Sequence, residues 1–148
     1  VPSWFDSLGI EYRLNYADAE RLHDYALARW AASPAGLIQQ RLVHQLGASP
    51  VGQGGARCVL RIEIDEFSHT FDTPESSRGV LRGRATLLDS GRRTVAEREL
   101  AYDSPALSGD SRGGVVALGS AVDRMATDLA AWRPVLAAKG VLQPCMPR

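Results

Sequence analysis

The sequence predicts a single α+β domain, a mostly antiparallel sheet with two main helices packed on one face. Three observations carry that expectation. Between Arg57 and Leu100 three strand-like runs follow one another, separated by short polar breaks. Within these runs apolar and charged residues alternate, so each strand buries one face and leaves the other wet. From about Ser111 a long apolar stripe recurs at helical spacing, which can cover the buried face.

Taken in order, Ile10-Glu11-Tyr12-Arg13-Leu14-Asn15-Tyr16 alternates and reads as a first strand. Arg21 to Ala32 stays open between two readings. Leu22, Ala26 and Trp30 suit a helix, whereas Asp24, Ala26, Ala28 and Trp30 set against Tyr25, Leu27 and Arg29 suit a strand. Alanine content favours the helix. Ser33-Pro34 is a helix start, because serine caps free amides and proline has no N–H to leave orphaned at the first position. Leu37, Ile38, Leu42 and Leu46 line one side of that short helix, and Gly47 suits its left-handed end. Ala48 to Ala56, with Pro50, Gly52, Gly54 and Gly55, reads as a connector.

In the next run Leu60, Ile62 and Ile64 share one face, and Arg61, Glu63 and Asp65 the other. A slip of one residue would bury the three charges, so the register is strongly specified. Thr73-Pro74-Glu75-Ser76-Ser77 and Ser90-Gly91-Arg92-Arg93 are turn chemistry between antiparallel strands. Leu81, Gly83, Ala85 and Leu87 share a face, and the small Gly83 and Ala85 suit a close helix crossing. After Pro105, Asp110 or Ser111 can cap a helix whose stripe is Val115, Leu118, Val122, Met125, Leu129 and Trp132. Pro134 is expected to end or kink it.

Length and composition narrow the function classes. The 148 residues fit one domain spanning 1–148, and 45% hydrophobic with 23% charged residues is ordinary for a packed globular core. Lys+Arg and Asp+Glu are both 17, so no net field draws in nucleic acid or an anionic membrane. Lys139 is the single lysine. The chain opens Val1-Pro2-Ser3-Trp4, and any signal or lipid-attachment segment is expected upstream of it. No run approaches the roughly 20 apolar residues of a membrane span. Cys58 and Cys145 are the two cysteines: one disulfide in an oxidising compartment, or two unrelated thiols.

Catalytic and metal-binding patterns are weak. His23, His44 and His69 have no second ligand at metal spacing. A site assembled from His69, Asp72 and Glu75 is the one metal candidate, set against the plainer reading of polar residues at a strand end. Gly119-Ser120 lies inside the helical stripe, where a nucleophile elbow cannot form, and Gly113-Gly114 lacks the dinucleotide-binding pattern. Glu63, Asp65, Glu97 and Glu99 alternate on wet strand faces, where pairing with Arg61, Arg82, Arg84 and Arg98 accounts for them more simply than acid–base catalysis. Neither a catalytic set nor a cofactor is expected. By alternation Phe67 and Phe71 move onto the charged face of their run, which makes them candidate partner-binding residues. The competing reading packs them under the Thr73-Pro74 turn.

Several segments together resemble a known family. Tyr12 in an opening strand, Tyr25-Ala26-Leu27-Ala28-Arg29-Trp30-Ala31 before Pro34, and Leu37 with Arg41-Leu42 and Leu46 are similar to a signature of the ABC-type transport auxiliary lipoproteins. Leu60 to Phe67, with Phe71 and Ser77-Arg78-Gly79-Val80, resembles the family's central block, and Gly113 to Leu118 followed by Trp132 resembles its closing helix. The resemblance spans nearly the whole chain.

It implies that Arg21 to Ala32 is extended. It also implies a non-enzymatic accessory lipoprotein of a mammalian-cell-entry (MCE) type ABC transport system, moving lipids between the inner and outer membranes of Gram-negative bacteria. The expected location is the periplasm, with outer-membrane anchoring through a lipid on a cysteine outside this chain. An MCE-domain protein is the expected partner, and a homo-oligomeric ring is admitted. The alternative is a periplasmic regulatory lipoprotein that activates a cell-envelope assembly enzyme. A periplasmic location exposes the thiols to oxidation, so a Cys58–Cys145 disulfide is expected, with the tail after the last helix doubling back to the sheet.

Overall fold

Residues 9–30, 34–47 and 57–145 are described by a computed structural model of the chain. Their elements run β1 (Gly9–Leu14), β2 (Asp18–Arg29), α1 (Pro34–Leu46), β3 (Val59–Thr73), β4 (Ser76–Leu88), β5 (Thr94–Pro105) and α2 (Ser111–Ala138), and the chain closes on a 3₁₀ turn, Gln143–Cys145. The strands form one sheet in the order β2-β1-β3-β4-β5. Only the β1–β3 contact among them is parallel. A parallel neighbour needs a long crossover, here supplied by β2 and α1. The chain is thus the α+β domain that the alternating runs predict.

Residues 21–29 are extended, as the family resemblance implies and against the alanine content. Pairing with β1 decides this, because ladder hydrogen bonds outweigh an intrinsic preference of a few tenths of a kcal/mol per residue. Pro34 opens α1, and Gly47 follows it at φ 64°, the left-handed conformation the reading requires. The Ser33 cap and the Ala48 to Ala56 connector lie outside the described residues.

The covered face is built from Ile64, Phe67, Leu81, Ala85, Leu100 and Tyr102, with Leu60 and Ile62 partly buried at its margin. Leu118, Val122, Met125 and Leu129 of α2 pack into the same cluster, and Ile38 and Leu42 of α1 complete it. The helical stripe therefore meets the strand face the sequence assigned to it.

Helix α2 begins where Asp110 caps it, its side chain accepting from the Gly113 amide at 2.9 Å. It passes through Pro134 and ends at Ala138, so the helix does not end at the proline. Proline removes one backbone donor near the exposed end of the helix, while Leu136, 7% exposed, holds the last turn on the protein. Gly140 at φ 73° then closes the helix: its amide bonds Ala137 O, and that of Val141 bonds Leu136 O.

The close helix crossing falls at Gly79. A Cβ there would lie 2.7 Å from backbone atoms of both Ala117 and Leu118. Gly83 has a different role from the one its size suggests. It stands opposite a bulge in β3, where a Cβ would come within 2.0 Å of the Glu63 carbonyl oxygen.

Candidate functional site

The bulge in β3 determines what reaches the site. Ile64 pairs with Gly83 and Glu66 with Arg82, so Asp65 is an extra residue in the ladder. Beyond it the alternation reverses, and Phe67, His69 and Phe71 point to the same covered face as Ile64. Phe67 is 6% and Phe71 8% exposed. This corrects the placement of both phenylalanines on the charged face. Strict period-two counting fails wherever a strand carries an additional residue, and nothing in Ile64-Asp65-Glu66 announces one.

Phe67 contributes to the floor of a groove between α1 and α2. The groove is open to solvent and has a volume of about 470 Å³. Trp30, at the end of β2, stacks obliquely on Phe67 with ring centroids 5.8 Å apart. Leu37 and Ile38 form the α1 wall, Val122 and Gly119 the α2 wall, and Gln40, Arg41, His44 and Asp123 the rim. Arg41 Nε donates to Asp123 Oδ1 at 2.6 Å and its Nη2 reaches the same carboxylate, tying the two helices at the mouth. The lining thus combines apolar side chains with exposed polar ones.

At the other end of the covered face, under the start of α2, lies a cluster of rings. His69 is fully buried, with Nδ1 2.7 Å from Tyr25 Oη and Nε2 2.8 Å from Ser77 Oγ. Burial lowers its pKa below 6.5, and burial together with Tyr12 and Asp110 pushes Tyr25 up to about 12. Tyr12 stacks on His23 at 5.1 Å and meets Phe71 edge-on. Gly114 lets the helix settle on the imidazole, since a Cβ there would be 2.6 Å from Nδ1.

With both ring nitrogens engaged, His69 does not join Asp72 and Glu75 in a metal site. Asp72 instead accepts from Arg78 and Asn15, contacts that hold its carboxyl below the usual range. Among the described residues no group of three or more His, Cys, Asp or Glu could hold a metal ion.

The open face of the sheet is a lattice of ion pairs. Arg84 bridges Glu97 and Glu99, Arg61 meets Glu63, and Arg13 binds Glu66 through Nε and Nη2. Arg78 and Arg82 share Asp103, whose pKa falls chiefly through the Arg82 hydrogen bond. Arg98 departs from the expected pairing. It points to the helix side and lies over the Trp132 ring, 5.7 Å from its centroid. Glu11 is the exception within the lattice: it faces Asp24 across the β1–β2 ladder, and its Oε2 is buried without a hydrogen-bond partner. Burial first, then Asp24 and Glu66, raise its pKa to about 7.

Cys58 and Cys145 are joined in a disulfide with Cα atoms 5.2 Å apart. The bridge pins the segment after α2 to the start of β3. It leaves β1, β2 and α1 outside the closed loop, so the loop encloses less of the domain than its two ends suggest.

The sequence reading did not find the groove. Trp30 and Gly119 were its available signals, an aromatic at a strand end and a glycine within a helix, but neither indicates that two helices leave a space between them.

These features define a small α+β domain with a groove and without a recognisable catalytic constellation among the described residues. A family model described as ABC-type transport auxiliary lipoprotein component matches residues 1–130, and the chain belongs to that family. No curated protein matches it significantly. The crystal structure of protein XCC0632 from Xanthomonas campestris, assigned to the DUF330 family, is similar at 20% identity and TM-score 0.82, covering 94% of this chain and 81% of that one. A second crystal structure, of an uncharacterized protein, is similar at 16% identity and TM-score 0.73, covering 88% and 84%. At such identities the two structures speak for the fold alone.

Proposed function

We propose that this chain is a non-enzymatic accessory subunit of an MCE-type ABC transport system that moves lipids between the inner and outer membranes. The observation that carries this reading is the family match over residues 1–130. It is supported by the disulfide, which suits an oxidising compartment such as the periplasm. No helix among the described residues is long and apolar enough to cross a membrane, and in this reading attachment to the outer membrane comes from a lipid anchor outside the chain. The partner is the MCE-domain protein of the same system, and self-assembly of the chain into a homo-oligomeric ring is part of the same reading.

The test is a pull-down of the tagged protein from native membranes, with mass spectrometry of the proteins and lipids recovered. Co-purification of an MCE-domain protein with an ATPase and a permease is the expected result. Recovery of a cell-envelope assembly enzyme in their place would overturn the transport reading in favour of a regulatory lipoprotein. Light scattering on the purified domain checks self-assembly separately.

A further inference from the structure

The groove between α1 and α2 has a feature that packing alone does not explain. Gly119 lies in the first third of the 28-residue helix α2, inside the helix, where glycine is less favourable than alanine. Its φ is not in the left-handed region, and a Cβ built there meets no atom of the described residues within 4 Å. Gly79, Gly113 and Gly114 behave oppositely, since a Cβ at any of them would strike a neighbour. Contacts among the described residues therefore do not require a glycine at 119. It keeps the α2 wall low where that wall borders the groove.

The remaining lining describes the occupant. Trp30, Leu37, Ile38, Phe67 and Val122 offer apolar surface, and a volume of about 470 Å³ lies within the range of small-molecule clefts, roughly 300–1,000 Å³. Polar groups are confined to the mouth, where Gln40, Arg41, His44 and Asp123 stand, and the Arg41–Asp123 pair leaves little net charge there.

We infer that this groove binds a single long apolar chain, with the polar head of the amphiphile remaining at the Gln40–Arg41–His44 rim. The inference deepens the proposed role in lipid transport by placing the lipid contact on this chain. Its test needs no partner, so it can fail while the transport reading stands, and the reverse.

The experiment titrates the purified, delipidated, disulfide-bonded protein with a 16-carbon fatty acid below its micelle concentration and reads binding by calorimetry. The wild type should bind saturably with one chain per protein. Gly119→Leu adds a large side chain at a groove-lining position whose Cβ has open space around it, and should weaken binding at least tenfold while leaving the unfolding temperature equal or higher. Leu37→Gln, on the facing wall, should weaken it several-fold. Absence of saturable binding by the wild type would overturn the inference. So would equal binding by folded Gly119→Leu and Leu37→Gln proteins, which would move the contact to another surface.

Discussion

Gly79→Ala tests the packing of α2 on the sheet most directly. The added Cβ would lie 2.7 Å from the carbonyl carbon of Ala117 and 2.7 Å from the amide nitrogen of Leu118. Both are backbone atoms of one helix, so no side-chain rotation relieves the clash and the helix itself must lift. Ala117 and Leu118 are 2% and 1% exposed, and lifting them loosens a buried part of the core. Overpacking of this kind costs about 1–3 kcal/mol. For a domain of about 150 residues, each kcal/mol lowers Tm by roughly 2–4 °C.

Gly119→Ala in the same helix is the matched control. Its Cβ meets no atom of the described residues, so helix propensity dominates, and the variant should gain about 0.8–1 kcal/mol. Urea unfolding of the two variants and the wild type, at one pH and with the disulfide intact, should give changes of opposite sign. A Gly79→Ala protein as stable as wild type would refute the close crossing. A destabilised Gly119→Ala protein would refute the empty space beside residue 119.

Met125 is fully buried in the stripe of α2, and Met125→Ala should cost about 2–5 kcal/mol through lost burial and a residual cavity, read from the urea midpoint. Cys145→Ser opens a loop with a sequence separation of 87, so stability should fall by about 3–5 kcal/mol on the chain-entropy account, and an unchanged Tm would count against the bridge as a stabilising element. Glu11, raised to about 7 by burial, Asp24 and Glu66 against a lowering by Arg13, makes the fold sensitive to pH. Because the folded-state pKa lies above the unfolded one, the stabilisation is full below the ordinary value of 4.5 and is lost as pH rises through 7. Solvent screening at this partly exposed site reduces the swing to about 1–2 kcal/mol. Glu11→Gln should flatten the stability profile across that window, and a profile of unchanged slope would assign the pH dependence to other groups.

The sequence by itself determined the elements whose signals are local and repeated. Leu60, Ile62 and Ile64 define a half-buried strand because side chains alternate across a sheet, and the stripe from Leu118 to Leu129 defines a helix face because one turn takes 3.6 residues. Pro34 and Gly47 bound α1 for conformational reasons that each residue carries with it. The family, too, was legible, because its motifs keep their order along the chain.

Tertiary structure decided whatever depended on a second segment. Whether Arg21 to Arg29 is strand or helix turned on β1 being there to pair with it. Phe67 and Phe71 changed face because of the one extra residue at Asp65, accommodated by Gly83 on the neighbouring strand. Pro134 stayed inside a helix because Leu136 had a core to rest on. The groove exists only in the spacing between two helices that the sequence describes one at a time. Local pattern records which face of an element is apolar, whereas the gap left between two such faces is a property of their packing.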